Sequence, residues 1–175
     1  MANMKYLGIY LNDHLAGSVA GIELAKRIRG ENEGTPLGEF LAEVIPVIEE
    51  DQQTVILIME ELGVARSPIK APVAWVAERL GRLKLNGELT GYSPLSRVVE
   101  LEGLLMGVQG RASLWKRLAS VPIFEGPIAS IDPVALAARA DENISQIQDH
   151  LDDAARAAFA EPADAGEPSP KTSVS

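Results

Sequence analysis

The chain has 175 residues, 46% of them apolar and 23% charged, enough for one domain with a sizeable core. With no cysteine it forms no disulfide, thiolate zinc site, iron–sulfur cluster or cysteine nucleophile, and two histidines are too few for a histidine-rich metal site. A net charge of -9 sets the average surface against nucleic acid and anionic membrane.

The N-terminal MANMKYLGIYLNDHL lacks the long apolar core and small-residue cleavage site of a signal peptide. No apolar run approaches the roughly 18 residues needed to span a bilayer. The expectation is a cytoplasmic protein without membrane insertion. A first helix is predicted from about Met4 to Arg29, with Leu11, Leu15, Val19, Ile22 and Lys26 at helical spacing. The cluster Gly30-Glu31-Asn32-Glu33-Gly34-Thr35-Pro36 stops it. A second helix runs from about Leu37 to Leu62, carrying Leu41, Val44 or Ile45, Ile48, Gln52, Val55 and Met59 on one face. Pro46 predicts a kink or a late start, and Gly63 a left-handed cap. The next connection holds a short amphipathic helix from about Pro72 to Leu85, anchored by Trp75. Ser93-Pro94 opens a long helix to about Leu118, with a heptad seam of Val98, Leu101, Leu105, Val108, Ala112 and Trp115. Asp132-Pro133 reads as the cap and first residue of a last helix, which continues to about Phe159 through Ala140, Ile144, Ile147, Leu151, Ala154 and Ala158. Residues 1–160 are expected to form one helical domain, and the Pro/Ala/Ser/Asp-rich residues 161–175 a disordered tail.

Connection lengths predict the topology. A helix of about 26 residues is roughly 39 Å long at about 1.5 Å per residue. The connections around the first and last hairpins are too short to return that distance, whereas the middle one is long enough. Short, long, short connections describe an antiparallel four-helix bundle with one long crossover, here carrying the short extra helix.

Two segments match without gaps. Ala16-Gly17-Ser18-Val19-Ala20-Gly21-Ile22-Glu23 aligns with Glu102-Gly103-Leu104-Leu105-Met106-Gly107-Val108-Gln109, which pairs Gly17 with Gly103 and Gly21 with Gly107. A glycine inside a helix costs about 1 kcal/mol relative to alanine. These four are therefore read first as points of close helix packing, and second as room for a ligand.

In helix order over residues 5–159 the chain resembles the ferritin-like superfamily of four-helix bundles. Glu50-Asp51-Gln52-Gln53, nine residues before Leu62-Gly63, is similar to the Glu-x-x-His of bacterioferritin-like proteins. The resemblance implies a metal-ligand position at Glu50. Gln53 stands where the family has histidine, and Gly17 falls near its helix-one carboxylate, so the chain looks closer to metal-poor bacterial members than to an iron-storage ferritin. Bundle chemistry itself asks for about four inward carboxylates and two histidines around a di-metal centre. Here Glu142 and Asp149 fall opposite the apolar seam of the last helix, and no Glu-x-x-His occurs. No metal is expected. Were a di-iron or di-manganese site present, its candidates would be Glu50, Gln53, Glu102 and His14.

His14 and His150 are read as a partly buried hydrogen-bonded side chain and a solvated one, and Glu102 and Gln109 as interhelical polar contacts. Residues 64–97 hold six basic residues against two acidic ones, the reverse of the chain as a whole. Arg79, Arg82 and Lys84 form a possible anion or partner patch there, although a solvated basic face is the simpler account.

The expected function is that of a non-enzymatic bundle acting through protein contacts, as a homo-oligomer such as a dimer. The alternatives are a metal-dependent oxidoreductase or iron-handling protein using iron or manganese, and a binder of a small apolar ligand.

Overall fold

A computed structural model describes residues 3–67 and 92–160. They form four long helices, α1 (Met4–Glu31), α2 (Pro36–Glu61), α3 (Pro94–Leu118) and α4 (Pro133–Phe159), with a single 3-10 turn at Gly126–Ile128. The fold class is all-α, as expected. No helix among the described residues is long and apolar enough to cross a membrane. The anticipated short helix with Trp75, the Arg79, Arg82 and Lys84 patch and residues 161–175 lie outside the described residues.

Local chemistry explains the boundaries. Thr35 and Ser93 each cap a helix by accepting a hydrogen bond from a backbone N–H three residues on, Gly38 at 3.2 Å and Ser96 at 3.1 Å. Asp132 Oδ1 accepts from Val134 N at 2.9 Å and Ala135 N at 3.1 Å. In each case a proline follows in the first turn, where its missing donor is harmless. Helix α2 begins at Pro36 and continues past the exposed Pro46, so the late start does not occur. It ends at Gly63 with φ +65°, and Val64 N donates back to Met59 O at 2.8 Å, as in a Schellman motif.

Cross-helix contacts set the directions. Arg27 meets Glu100, and an added Cβ on Gly103 would lie 3.2 Å from Leu24 Cδ2, so α1 and α3 run antiparallel. Asp51 meets Arg139 and Phe40 meets His150, so α2 and α4 are also antiparallel. Because α1 folds back on α2 through a four-residue turn, α2 and α3 are parallel. The start of α3 lies beside the α1–α2 turn, where Asn32 Nδ2 donates to the Tyr92 hydroxyl at 3.4 Å. Residues at the far end of α2 return to α1 instead: Ser67 N donates to Asn12 Oδ1 at 2.7 Å. Ser67 and Tyr92 therefore lie toward opposite ends of the bundle.

The core has two apolar parts. One gathers Ile22, Leu41, Ile48, Leu101, Val108 and Ile147; the other gathers Leu11, Val55, Ile58, Trp115, Leu118 and Ala137. Between them lies a polar level containing Ser18, Asp51, Gln52, Arg111 and Asn143. The apolar seams read from the sequence are interrupted there, at the level where Gln52 was placed on the α2 seam. On α1, Ala25 and Ile28 are buried where Lys26 was expected, and Lys26 reaches out to Glu49 at 2.9 Å. On α3, Leu104 is more deeply buried than Leu105, because this helix packs on both α1 and α4 and has two inward stripes.

Candidate functional site

The polar level centres on Asp51, whose residue exposure is only 2%. Its place on α2 follows from helical spacing, three residues after Ile48 and four before Val55. A buried carboxylate is tolerated only with strong partners. Oδ1 accepts a short hydrogen bond from Arg139 Nη2 on α4. Oδ2 accepts from the fully buried indole Nε1 of Trp115 at 3.3 Å and lies 3.4 Å from Arg111 Nε, both on α3. The Trp115 indole, the last position of the predicted heptad seam, thus takes part in this network. Arg139 also donates to Glu50 Oε2 at 2.8 Å. Burial opposes the charge of Arg139, but its bonds to Asp51 and Glu50 outweigh that and raise its pKa.

Arg111 is in a different position. Its side chain is only 9% exposed, and Nη2 donates to Asn143 Oδ1 at 2.6 Å. Nε and Nη1 are both buried and have no hydrogen-bond partner among the described residues. Burial pulls the guanidinium pKa down, Asp51 pulls it up, and nearby Arg139 pulls it down again. The residue remains charged, since arginine does not deprotonate in proteins at ordinary pH.

A cavity of about 180 Å³ opens beside this level, between α1, α2 and α3. Gly17 and Gly21 form one wall and Gly107 and Gly110 the opposite one. Ile48, Val55, Leu104, Val108, Leu114 and Trp115 supply its apolar lining, with Met106 at the rim, and Asp13, His14, Ser18, Asp51, Gln52 and Arg111 its polar lining. A Cβ added at Gly17, Gly21, Gly107 or Gly110 would meet no atom within 4 Å among the described residues. Close packing was the first reading of these glycines, and at Gly17, Gly21 and Gly107 the geometry is the opposite. Gly17 and Gly107 are exposed and Gly21 is partly buried, so the space beside them is open to solvent. Of the aligned glycines Gly17, Gly21, Gly103 and Gly107, Gly103 alone has a neighbour within that distance among the described residues. A much tighter position is Gly38, where a Cβ would lie 2.2 Å from the Asn32 carbonyl oxygen.

The candidate metal residues do not converge. Glu50, Gln53 and Glu102 are exposed, and Glu50 pairs with Arg139. His14 is half-buried, packs edge-on against Tyr10 with ring centroids 4.4 Å apart, and has its pKa lowered by burial. Among the described residues no group of three or more His, Cys, Asp or Glu side chains could hold a metal ion. The one buried carboxylate of the central level, Asp51, faces two guanidinium groups that repel a cation. These residues do not fit the di-metal centre that the ferritin-like resemblance implies.

A second buried carboxylate, Glu100, lies on α3 toward the α1–α2 turn and pairs with Arg27 Nε at 2.8 Å. Burial raises its pKa, partly offset by Arg27 and the Tyr92 hydroxyl. Tyr92 in turn is pushed up to about 12, chiefly by burial. Gln109 is exposed, and His150 is half-buried against Phe40, with ring centroids 4.8 Å apart, instead of solvated. Asp51, Arg111 and Glu100 were not singled out from the sequence. Asp51 did carry a signal, a charged residue three places after Ile48 and four before Val55; Glu100, with Ser96, Arg97 and Gly103 at those spacings, carried none.

No protein-family model, curated protein or solved structure matches this chain.

Proposed function

We propose that this protein is a non-enzymatic helical bundle that binds a small, largely apolar molecule in the cavity between α1, α2 and α3. The observation that carries this reading is the set of four facing glycines whose missing side chains leave room. Interior helical glycine is destabilising, by about 1 kcal/mol per residue, and here no tight contact returns that cost. The volume is suitable as well, since an apolar cavity of about 150 Å³ takes a benzene molecule. The protein-contact reading drew on the same glycines, and the exposed large apolar side chains are scattered over α1, α2, α3 and α4. The parallel α2–α3 arrangement supports a ferritin-like reading of the fold without its metal chemistry.

The test is binding of toluene to the full chain, followed by ligand-observed NMR. Saturable binding to the wild type is expected, with loss in Gly21→Leu, whose side chain fills the cavity. Equal binding by the two proteins, or none by the wild type, refutes the reading.

A further inference from the structure

The bundle is two hairpins, α1–α2 and α3–α4, and the two seams between them are built differently. Toward the α1–α2 turn, α1 and α3 are in close contact. Gly103 brings the α3 backbone up to Leu24, Arg27 pairs with the buried Glu100, and Ala25, Ile28, Leu101 and Leu104 are buried in the same apolar cluster. At that end of the bundle a cleft of about 180 Å³ lies between the start of α2 (Thr35, Pro36 and Leu37) and the last turns of α4 (His150, Asp153 and Ala154). Farther along, α2 and α4 meet through side-chain ends: Phe40 against His150, and Arg139 on Glu50 and Asp51. The buried residues of α4 are Ala137, Ala140, Asn143, Ile147 and Ala154, so small side chains supply most of its inward face.

Asp51 is where one hairpin grips the other. It belongs to α2, and its partners Arg139, Trp115 and Arg111 all come from α3 and α4. A charged level of this kind resists opening less than an aliphatic one. Water entering it rehydrates a carboxylate and two guanidinium groups, including Arg139 Nε and Arg111 Nε and Nη1, which are buried without a hydrogen-bond partner among the described residues. A buried ion pair roughly breaks even against that hydration, whereas exposing aliphatic surface to water returns nothing. We infer that the two hairpins open and close along the α2–α4 seam, turning about the closed end of the α1–α3 seam, with Asp51 and Arg139 as the latch. The motion admits water to the charged level while the helices stay folded, whether or not the cavity holds a ligand.

The Trp115 indole proton reports this motion, because the side chain is fully buried and Nε1 donates to Asp51 at 3.3 Å. Its hydrogen exchange is followed by NMR on the full chain, with Trp75→Phe to assign the indole signals, and compared with the amide of Leu101 at the closed seam. In the wild type the indole proton is expected to show less than about half the urea dependence of the Leu101 amide, since opening a seam exposes less surface than global unfolding. Equal urea dependence overturns the inference. Arg139→Met is expected to raise the ratio of indole to Leu101 exchange at least about tenfold, the scale of one charge-assisted hydrogen bond, whereas Arg27→Met at the closed seam does not raise it. An unchanged ratio in Arg139→Met, or an equal rise in Arg27→Met, also overturns it. Should circular dichroism show Arg139→Met unfolded, Glu50→Gln decides instead: it weakens the same latch from its exposed side and raises the ratio about threefold, and no rise there overturns the latch.

Discussion

Alanine substitution at the glycines separates space from packing, because the two accounts predict opposite signs. At Gly107 an added methyl meets nothing within 4 Å among the described residues. Only helix propensity remains, and it favours alanine by about 1 kcal/mol. For a chain of this size that corresponds to a rise in Tm of roughly 2–4 °C. Gly17→Ala and Gly21→Ala behave alike. At Gly103 the methyl lies 3.2 Å from Leu24 Cδ2, a side-chain end that can give by a few tenths of an ångström, so gain and loss nearly cancel. At Gly38 the methyl would sit 2.2 Å from Asn32 O and 3.0 Å from Asn32 C. That backbone cannot retreat easily. Asn32 O accepts from Thr35 N at 3.2 Å and Thr35 Oγ1 at 2.8 Å, while its buried side chain donates to Ile28 O at 2.7 Å. Overpacking against a fixed backbone costs about 3 kcal/mol, or roughly 6–12 °C in Tm. Thermal unfolding of the series, followed by far-UV circular dichroism, gives the ranking. A fall in Tm for Gly17→Ala and Gly107→Ala comparable to that of Gly38→Ala would refute the open-wall geometry.

Asp51→Asn leaves Arg111 buried without its anion and is expected to cost about 3–5 kcal/mol, whereas Glu50→Gln next to it, an exposed partner of Arg139, costs less than about 1 kcal/mol; denaturant unfolding of both variants tests the contrast. Glu100 has a raised folded-state pKa, so the folded protein holds that proton more tightly than the unfolded chain does. Its contribution is fully present below the ordinary glutamate value and declines as pH rises from there through the raised value. The stability difference between wild type and Glu100→Gln should therefore shift against the wild type as pH rises through that window, and a pH-independent difference would count against it. Gly63→Ala forces a side chain into a left-handed conformation at φ +65° and should lower stability by about 1–2 kcal/mol, measured in the same assay.

The helices were legible because their signals are local. Thr35-Pro36, Ser93-Pro94 and Asp132-Pro133 each combine a side-chain cap with a proline where no donor is needed, and α3 and α4 run between the residues that the pattern named. The parallel α2–α3 arrangement was legible from connection length alone. The site was not, for two physical reasons. Periodicity assigns a charged residue to the solvent side, yet Asp51 and Glu100 are buried by partners far along the chain: Arg139, Arg111 and Trp115 for one, Arg27 for the other. Only the fold brings those pairs together. The glycines failed differently. Their alignment pairs Gly17 with Gly103 and Gly21 with Gly107 along the sequence, whereas the antiparallel α1 and α3 set Gly103 against Leu24; the same absence of Cβ lets helices touch or leaves a void, and the interhelical distance decides which. At Leu24–Gly103 and Arg27–Glu100 the α1–α3 seam is closed; at the level of Gly17 and Gly110 it opens onto the cavity. The opening coincides with the level where Asp51 and Arg111 interrupt the aliphatic core. Asp51, Arg111 and Trp115 line the cavity as well as forming the polar level, so the charged level and the cavity share one interruption in the core.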